Sequence, residues 1–85
     1  MTEFVYTIKD PLGFHARPAG LFVKAASSFG SDIAIEKDEK STNAKNILGV
    51  MGLAAKSGDI VKITISGDDE EQAKATLEEF MNDNL

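Results

Sequence analysis

The 85 residues are enough for one domain and leave no room for a second. The chain is 42% hydrophobic and lacks cysteine, so it suits a small globular core with no disulfide framework and no thiolate metal site. Nine Lys and Arg against 14 Asp and Glu give a formal charge of −5, which argues against nucleic acid as the main partner.

The opening MTEFVYTIKD has neither the basic stretch nor the long apolar run of a signal peptide. No apolar run approaches a membrane span, so the expected location is the cytoplasm, without membrane insertion. From Glu3 to Ile8, Phe4, Tyr6 and Ile8 alternate with Val5 and Thr7, which predicts a strand with one more apolar side. Asp10-Pro11-Leu12-Gly13 breaks it. From Ala16 to Phe29, Ala19, Phe22, Ala26 and Phe29 recur at helical spacing. Pro18 suits a first helical turn, where a missing N–H costs nothing, and Gly30 suits the end.

Ser31 to Lys37 reads as a strand through Ile33 and Ile35. Asp38-Glu39 reads as a tight turn, with Lys40 to Asn43 a short return strand. Asn46 can cap a short helix on which Ile47, Val50 and Met51 share one side and Leu48 turns elsewhere. Gly49 and Gly52 weaken that helix. After the Ser57-Gly58-Asp59 turn, Ile60 to Ser66 is the clearest strand: Val61, Ile63 and Ile65 face one way, Lys62, Thr64 and Ser66 the other. Asp69 with Gln72, or Asp68 with Glu71, has capping-box spacing ahead of a last helix that turns Ala73, Leu77, Phe80 and Met81 inward. The order βαββαβα predicts an α+β fold, with an antiparallel sheet covered by helices on one face and open to water on the other.

His15 is the only histidine. It follows Gly13, precedes Arg17 and Pro18, and stands at a helix start. Each neighbour has a physical use. Gly13 permits an unusual backbone turn. A helix start offers unpaired N–H groups and a partial positive charge. Arg17 supplies a fixed cation whose donors match phosphate oxygens. Imidazole is a neutral nucleophile near neutral pH. The combination describes a site where a phosphoryl group could be attached and stabilised. On local physics alone a lone histidine near a helix start is more often a capping or surface residue than a nucleophile, and spacing alone does not choose phosphate over another anion. The acids Asp68, Asp69, Glu70, Glu71, Glu78 and Glu79 crowd toward the end of the chain. Arg17, Lys24 and Lys45 lie apart from them, so a partner can meet a neutral or basic face on an acidic protein.

Gly13-Phe14-His15-Ala16-Arg17-Pro18-Ala19 resembles the active-site motif of the HPr family, the phosphocarriers of the bacterial phosphoenolpyruvate-dependent sugar phosphotransferase system. Asn43-Ala44-Lys45-Asn46-Ile47-Leu48-Gly49-Val50-Met51 is similar to the family's middle helix and its approach. The resemblance runs along essentially the whole chain as one HPr-like domain, residues 1–85. It implies an open-faced β-sandwich of four antiparallel strands and three helices. It implies that Nδ1 of His15 takes phosphate from enzyme I, which draws it from phosphoenolpyruvate, and yields it to a sugar-specific enzyme IIA. Arg17 then supports the phosphate, and Ala16 and Pro18 shape the helix start. The implied partner surface is Gly20, Lys24, Ile47, Leu48 and Met51. Phe22 falls nearby but fits the helix's core stripe better. The protein is then a carrier with a transient phosphohistidine, not an enzyme, with no cofactor or metal, acting as a monomer.

The chain departs from the family at three positions. Many members from Gram-positive bacteria carry a kinase-modified serine where this chain has Asn46, an equally good cap without a hydroxyl. Phe14 replaces an aliphatic residue, and Gly20 a common alanine. An HPr-like regulatory paralogue, acting by protein binding in nitrogen or carbon control, is the alternative function. A hydrolase using His15 as base is disfavoured, because Asp10 is the only acid close to it in sequence and so small a domain rarely encloses a substrate. A metal site is disfavoured because one histidine and no cysteine leave only carboxylates.

Overall fold

Alternation along the strands decides which side of the sheet is buried. The computed structural model describes residues Met1–Leu85 throughout. Its elements are β1 (Thr2–Thr7), α1 (Ala16–Ser27), β2 (Asp32–Lys37), β3 (Lys40–Asn43), α2 (Ile47–Gly52), β4 (Ile60–Ser66) and α3 (Glu70–Asn84). The strands lie in the order β1-β4-β2-β3, every neighbouring pair antiparallel. Ile63 of β4 stands between Phe4 of β1 and Ile35 of β2, and Ile65 stands opposite Ile33. This apolar face lies under the three helices, while Lys62 and Thr64 point to the open side. The expected βαββαβα sheet with helices on one face is therefore observed.

Several boundaries differ from the sequence reading. β1 ends at Thr7, and buried Ile8 instead bonds the loop before β4 through Asp59 and Gly58. α1 stops at Ser27, and Phe29 lies beyond it, half-buried. Ala19, Phe22 and Ala26 form the buried stripe as expected. On α3, Met81 is fully buried and Phe80 only half-buried, so the inward stripe is Ala73, Leu77 and Met81. α2 turns inward only through Val50. Ile47 and Met51 are exposed, because six residues resting between α1 and β3 bury a single position. The β2–β3 turn is made by Asp38 and Glu39 with φ of 51° and 69°, the left-handed pair that matches the twist of a two-residue hairpin.

The predicted capping box at α3 does not form. Asp69 is the N-cap residue, but its carboxylate makes no cap bond. It turns back to accept the N–H of Gly30 (2.9 Å), the N–H of Ser31 (3.1 Å) and the hydroxyl of Ser31. Glu70 accepts the N–H of Gly67 (3.2 Å) instead. Tertiary donors from the loop between α1 and β2 win because Ser31 is buried and has no other partner for its hydroxyl. The Ser31 hydroxyl, then the Gly30 N–H, hold the Asp69 carboxyl below the usual carboxylate range. A depressed folded pKa means stability that is present above the unfolded value, about 3.9, and lost as pH falls through the folded one. Asp69→Asn should thus lower Tm at neutral pH, and its deficit against wild type should shrink below about pH 4. Thermal melts across pH check this. A deficit constant from neutral to strongly acid pH would show that ionisation of Asp69 carries none of it.

Candidate functional site

Gly13 turns the chain into α1 at φ +64°, where a side chain is strained. A Cβ there would overlap the Ala55 carbonyl and lie 2.8 Å from the Cα of Lys56. The close approach lets the Phe14 N–H reach the Ala55 carbonyl at 2.9 Å. Phe14 is then buried, its ring edge-on to Phe22 at 5.3 Å between centroids. With Phe14 anchored inward, the next residue, His15, is the extended N-cap of α1 (φ −77°, ψ 179°). Its carbonyl accepts the Ala19 N–H at 3.0 Å, while its imidazole makes no capping bond and is half-exposed. His15 is thus a cap by its backbone, with its ring left for other work.

The first turn of α1 carries no acid. The N–H groups of Ala16 and Arg17 have no acceptor within the helix, and Pro18 has none to place. Arg17 is exposed and forms no salt bridge with any carboxylate of the chain. His15, Arg17 and Pro18 line one cleft of about 230 Å³ with Leu21, Asp10, Asp83 and Asn84. The sequence reading brought the first three together and gave Asp10 only as a nearby acid. It missed Asp83 and Asn84, which arrive from the far end of α3 because the Asp10 N–H bonds the backbone oxygen of Leu85 at 2.8 Å. No local pattern links positions so far apart. A larger depression of about 470 Å³ on the open sheet face is lined by Asp32, Ser41, Asn43, Lys45, Thr64 and Ser66, among others. It contains no histidine, so the candidate site of the sequence reading is the smaller cleft.

The expected partner residues divide. Gly20 faces Ile47, whose Cδ1 would sit 3.8 Å from a Cβ there, so α1 and α2 meet at these two positions. Leu48 is 79% exposed, Leu21 43%, Met51 40% and Ile47 37%. Together they form an apolar surface on the two helices. Leu21, absent from the expected set, carries this surface to the edge of the His15 cleft. Lys24 is exposed in the last turn of α1 and does not line the cleft. Lys45 is occupied, its Nζ donating to the Phe29 carbonyl at 2.8 Å. Phe22 is fully buried and belongs to the core. Asn46 caps α2, its Oδ1 accepting from Leu48 (3.1 Å) and Gly49 (3.3 Å).

Sequence reasoning gave Lys37 only as the end of a strand and Asp59 only as part of a turn, and missed that they meet. Lys37 is largely buried, and its Nζ donates to the carbonyls of Leu53 (3.1 Å) and Ala54 (3.2 Å). The same nitrogen lies 3.3 Å from the Asp59 carboxylate, which accepts the Lys56 N–H at 2.8 Å. That N–H, and then the Lys37 ammonium, hold the Asp59 carboxyl below its usual range.

No helix of the chain is long and apolar enough to cross a membrane. Comparison with known proteins shows the family. A family described as the PTS HPr component phosphorylation site matches residues 2–83. A phosphocarrier protein HPr from Lysinibacillus sphaericus is 49% identical over 72 residues, 85% of this chain and 82% of that one. Among solved structures, HPr from Thermoanaerobacter tengcongensis superposes with a TM-score of 0.93 at 48% identity, over 96% of this chain and 92% of that one. Crh of Bacillus subtilis, a catabolite-repression protein solved as a swapped dimer, matches with a TM-score of 0.78 at 38% identity, over 100% of this chain and 98% of that one. With the motif, the topology and these likenesses in agreement, the chain belongs to the HPr family of phosphotransferase-system phosphocarriers.

Proposed function

We propose that the chain accepts a phosphoryl group on Nδ1 of His15 from enzyme I, with phosphoenolpyruvate as the ultimate donor, and passes it to a sugar-specific enzyme IIA. The observation that carries this reading is the free imidazole of His15, sharing a cleft with unpaired Arg17 at a helix start. A lone pair of neutral imidazole forms the N–P bond as the bond from phosphorus to the donor breaks. The phosphoryl oxygens then meet the Arg17 guanidinium and the N–H groups of Ala16 and Arg17, donors aligned before the charge arrives. Pro18 starts the helix and directs no donor of its own. The carrier acts in the cytoplasm as a monomer, without cofactor or metal.

Incubation with phosphoenolpyruvate and enzyme I tests the reading. Wild type should gain an acid-labile phosphate that His15→Ala lacks, and equal labelling of both proteins would refute the assignment. Asn46 has no hydroxyl, so a protein kinase with ATP should leave position 46 unmodified and His15 the principal site.

Gly20, Lys24, Ile47, Leu48 and Met51 form the proposed docking surface for both partners, with the apolar members supplying most of the contact. Leu48 has little to lose on folding, so Leu48→Glu should leave Tm within about 2–4 °C, since surface changes fall within about 0.5 kcal/mol. The same change should lower kcat/KM for transfer to IIA about tenfold or more, as burying a charge at an apolar contact does. Unchanged transfer kinetics would remove Leu48 from the interface. The likeness to Crh supports a second reading, an HPr-like regulator acting by protein binding. Capture by the phosphorylated form separates them: transporters favour the carrier, and transcriptional regulators or metabolic enzymes favour the regulator.

A further inference from the structure

Ala54 has φ +52°, a left-handed conformation that costs a residue with a Cβ about 1 kcal/mol or more and persists where surroundings impose it. It sits in the segment from Leu53 to Lys56 that connects α2 to the turn before β4. The surroundings are the ammonium of Lys37, at the end of β2. Its three donors are matched by the Leu53 carbonyl, the Ala54 carbonyl and the Asp59 carboxylate. The Asp38 carboxylate is 3.9 Å away but exposed, and adds little. At the other end of the segment, Asp59 takes the Lys56 N–H through its side chain and gives its own N–H to the Lys56 carbonyl at 2.9 Å. Between these two ends lies Ala55, whose carbonyl is the acceptor for the Phe14 N–H and the surface against which Gly13 is pressed.

We propose that Lys37 is a positioning residue for the phosphoryl-acceptor histidine: by clamping Leu53, Ala54 and Asp59 it fixes the Ala55 carbonyl, and so the Phe14 backbone from which His15 is presented. The inference rests on the carrier reading for its kinetic consequence, but its structural content stands apart from that reading. Lys37 touches neither the cleft nor the phosphate. It acts through a chain of contacts, from the ammonium to the carbonyls of residues 53 and 54, from there to Ala55, and from Ala55 to Phe14. A long flexible ammonium does this because its three protons can point to three acceptors at once, and little of it reaches water.

Lys37→Met keeps the stem and removes the donors, while Lys37→Arg keeps charge and donors. Amide hydrogen exchange followed by NMR reads the clamp without any phosphorylation. In Lys37→Met the Phe14 amide should exchange about tenfold faster than the change at the β4 core amides of Ile63 and Ile65 accounts for, as local opening requires. Lys37→Arg should restore most of the protection. With enzyme I, kcat for phosphorylation of His15 should fall several-fold in Lys37→Met with KM nearly unchanged, and recover in Lys37→Arg. Asp59→Asn, a milder change to the same clamp, should show the same selective loss at Phe14 and serves if Lys37→Met does not fold. Exchange at Phe14 that rises only in step with Ile63 and Ile65 would make Lys37 a general stabiliser and overturn the proposal. Failure of wild type to take phosphate would remove the carrier reading, whereas the selective exchange at Phe14 would still decide the clamp.

Discussion

Gly13→Ala should cost the folded chain roughly 2–5 kcal/mol, the sum of about 1–2 for a left-handed alanine and about 1–3 for forcing a methyl against packed atoms. The atoms in its way are backbone, the Ala55 carbonyl and the Lys56 Cα, which cannot rotate aside as a side chain would. At about 4–8 °C per kcal/mol for a domain of this size, Tm should fall by roughly 10 °C or more. The damage should also reach the chemistry. Relief of the overlap pushes residues 13 and 55 apart and lengthens the Phe14-to-Ala55 bond, so the folded protein should take phosphate at His15 more slowly. Gly58 provides the control. It too has a positive φ, +92°, but a Cβ there meets nothing within 4 Å. Gly58→Ala should therefore show only the conformational cost, about 1–2 kcal/mol, and leave phosphorylation at wild-type rate. Denaturant melts of the two variants make the comparison, and equal losses would mean that the contact with Ala55 is unimportant.

Phe22→Ala should cost about 3–5 kcal/mol, the usual range for emptying a phenylalanine site in a core. Phe22 is fully buried. Phe14 meets it edge-on at 5.3 Å, and Phe80 lies 5.9 Å away on α3. The ring therefore joins the turn before His15, α1 and α3. Against a total stability of about 5–15 kcal/mol for a protein domain, such a loss leaves a measurable unfolded fraction at growth temperatures. The Phe14 and Phe22 variants should also be coupled. An edge-to-face pair is worth about 0.5–1.5 kcal/mol beyond area, so Phe14→Leu should cost less once Phe22 is alanine. Urea titrations of the single and double variants measure both quantities. A loss under about 1.5 kcal/mol for Phe22→Ala would show a site able to collapse and contradict the tight packing.

The strands and helices were legible because their burial is periodic. Val61, Ile63 and Ile65 alternate with Lys62, Thr64 and Ser66, and the fold buries the first set and leaves the second on the open side. Where burial depended on geometry between elements, the pattern misled. Ile47 and Met51 are as apolar as Val50, yet only Val50 reaches the core, since a six-residue helix lying across α1 and β3 offers one inward position. The capping box at α3 failed for a related reason. Spacing describes what Asp69 can do within its own helix, but the buried Ser31 just before β2 competes for the carboxylate and wins.

The candidate site divides along the same line. His15, Arg17 and Pro18 stand within a few residues of one another, so their meeting at a helix start follows from local backbone rules and is readable without a structure. The local block, with its likeness to a family, was enough to propose a nucleophile and its cation. What holds and surrounds that nucleophile comes from elsewhere in the chain. Asp83 and Asn84 enter the cleft from α3, Ala55 supports the turn from beneath, and Lys37 clamps Ala55's neighbours from the end of β2. These contacts join residues tens of positions apart through single hydrogen bonds and close backbone approaches. Such contacts leave no periodicity or spacing in the sequence, because each depends on where the antiparallel sheet order β1-β4-β2-β3 brings the chain ends and loops. The sequence by itself determined the element order and the buried sheet face through local pattern, and singled out His15 as the candidate through its motif; the tertiary structure alone decided how that histidine is held.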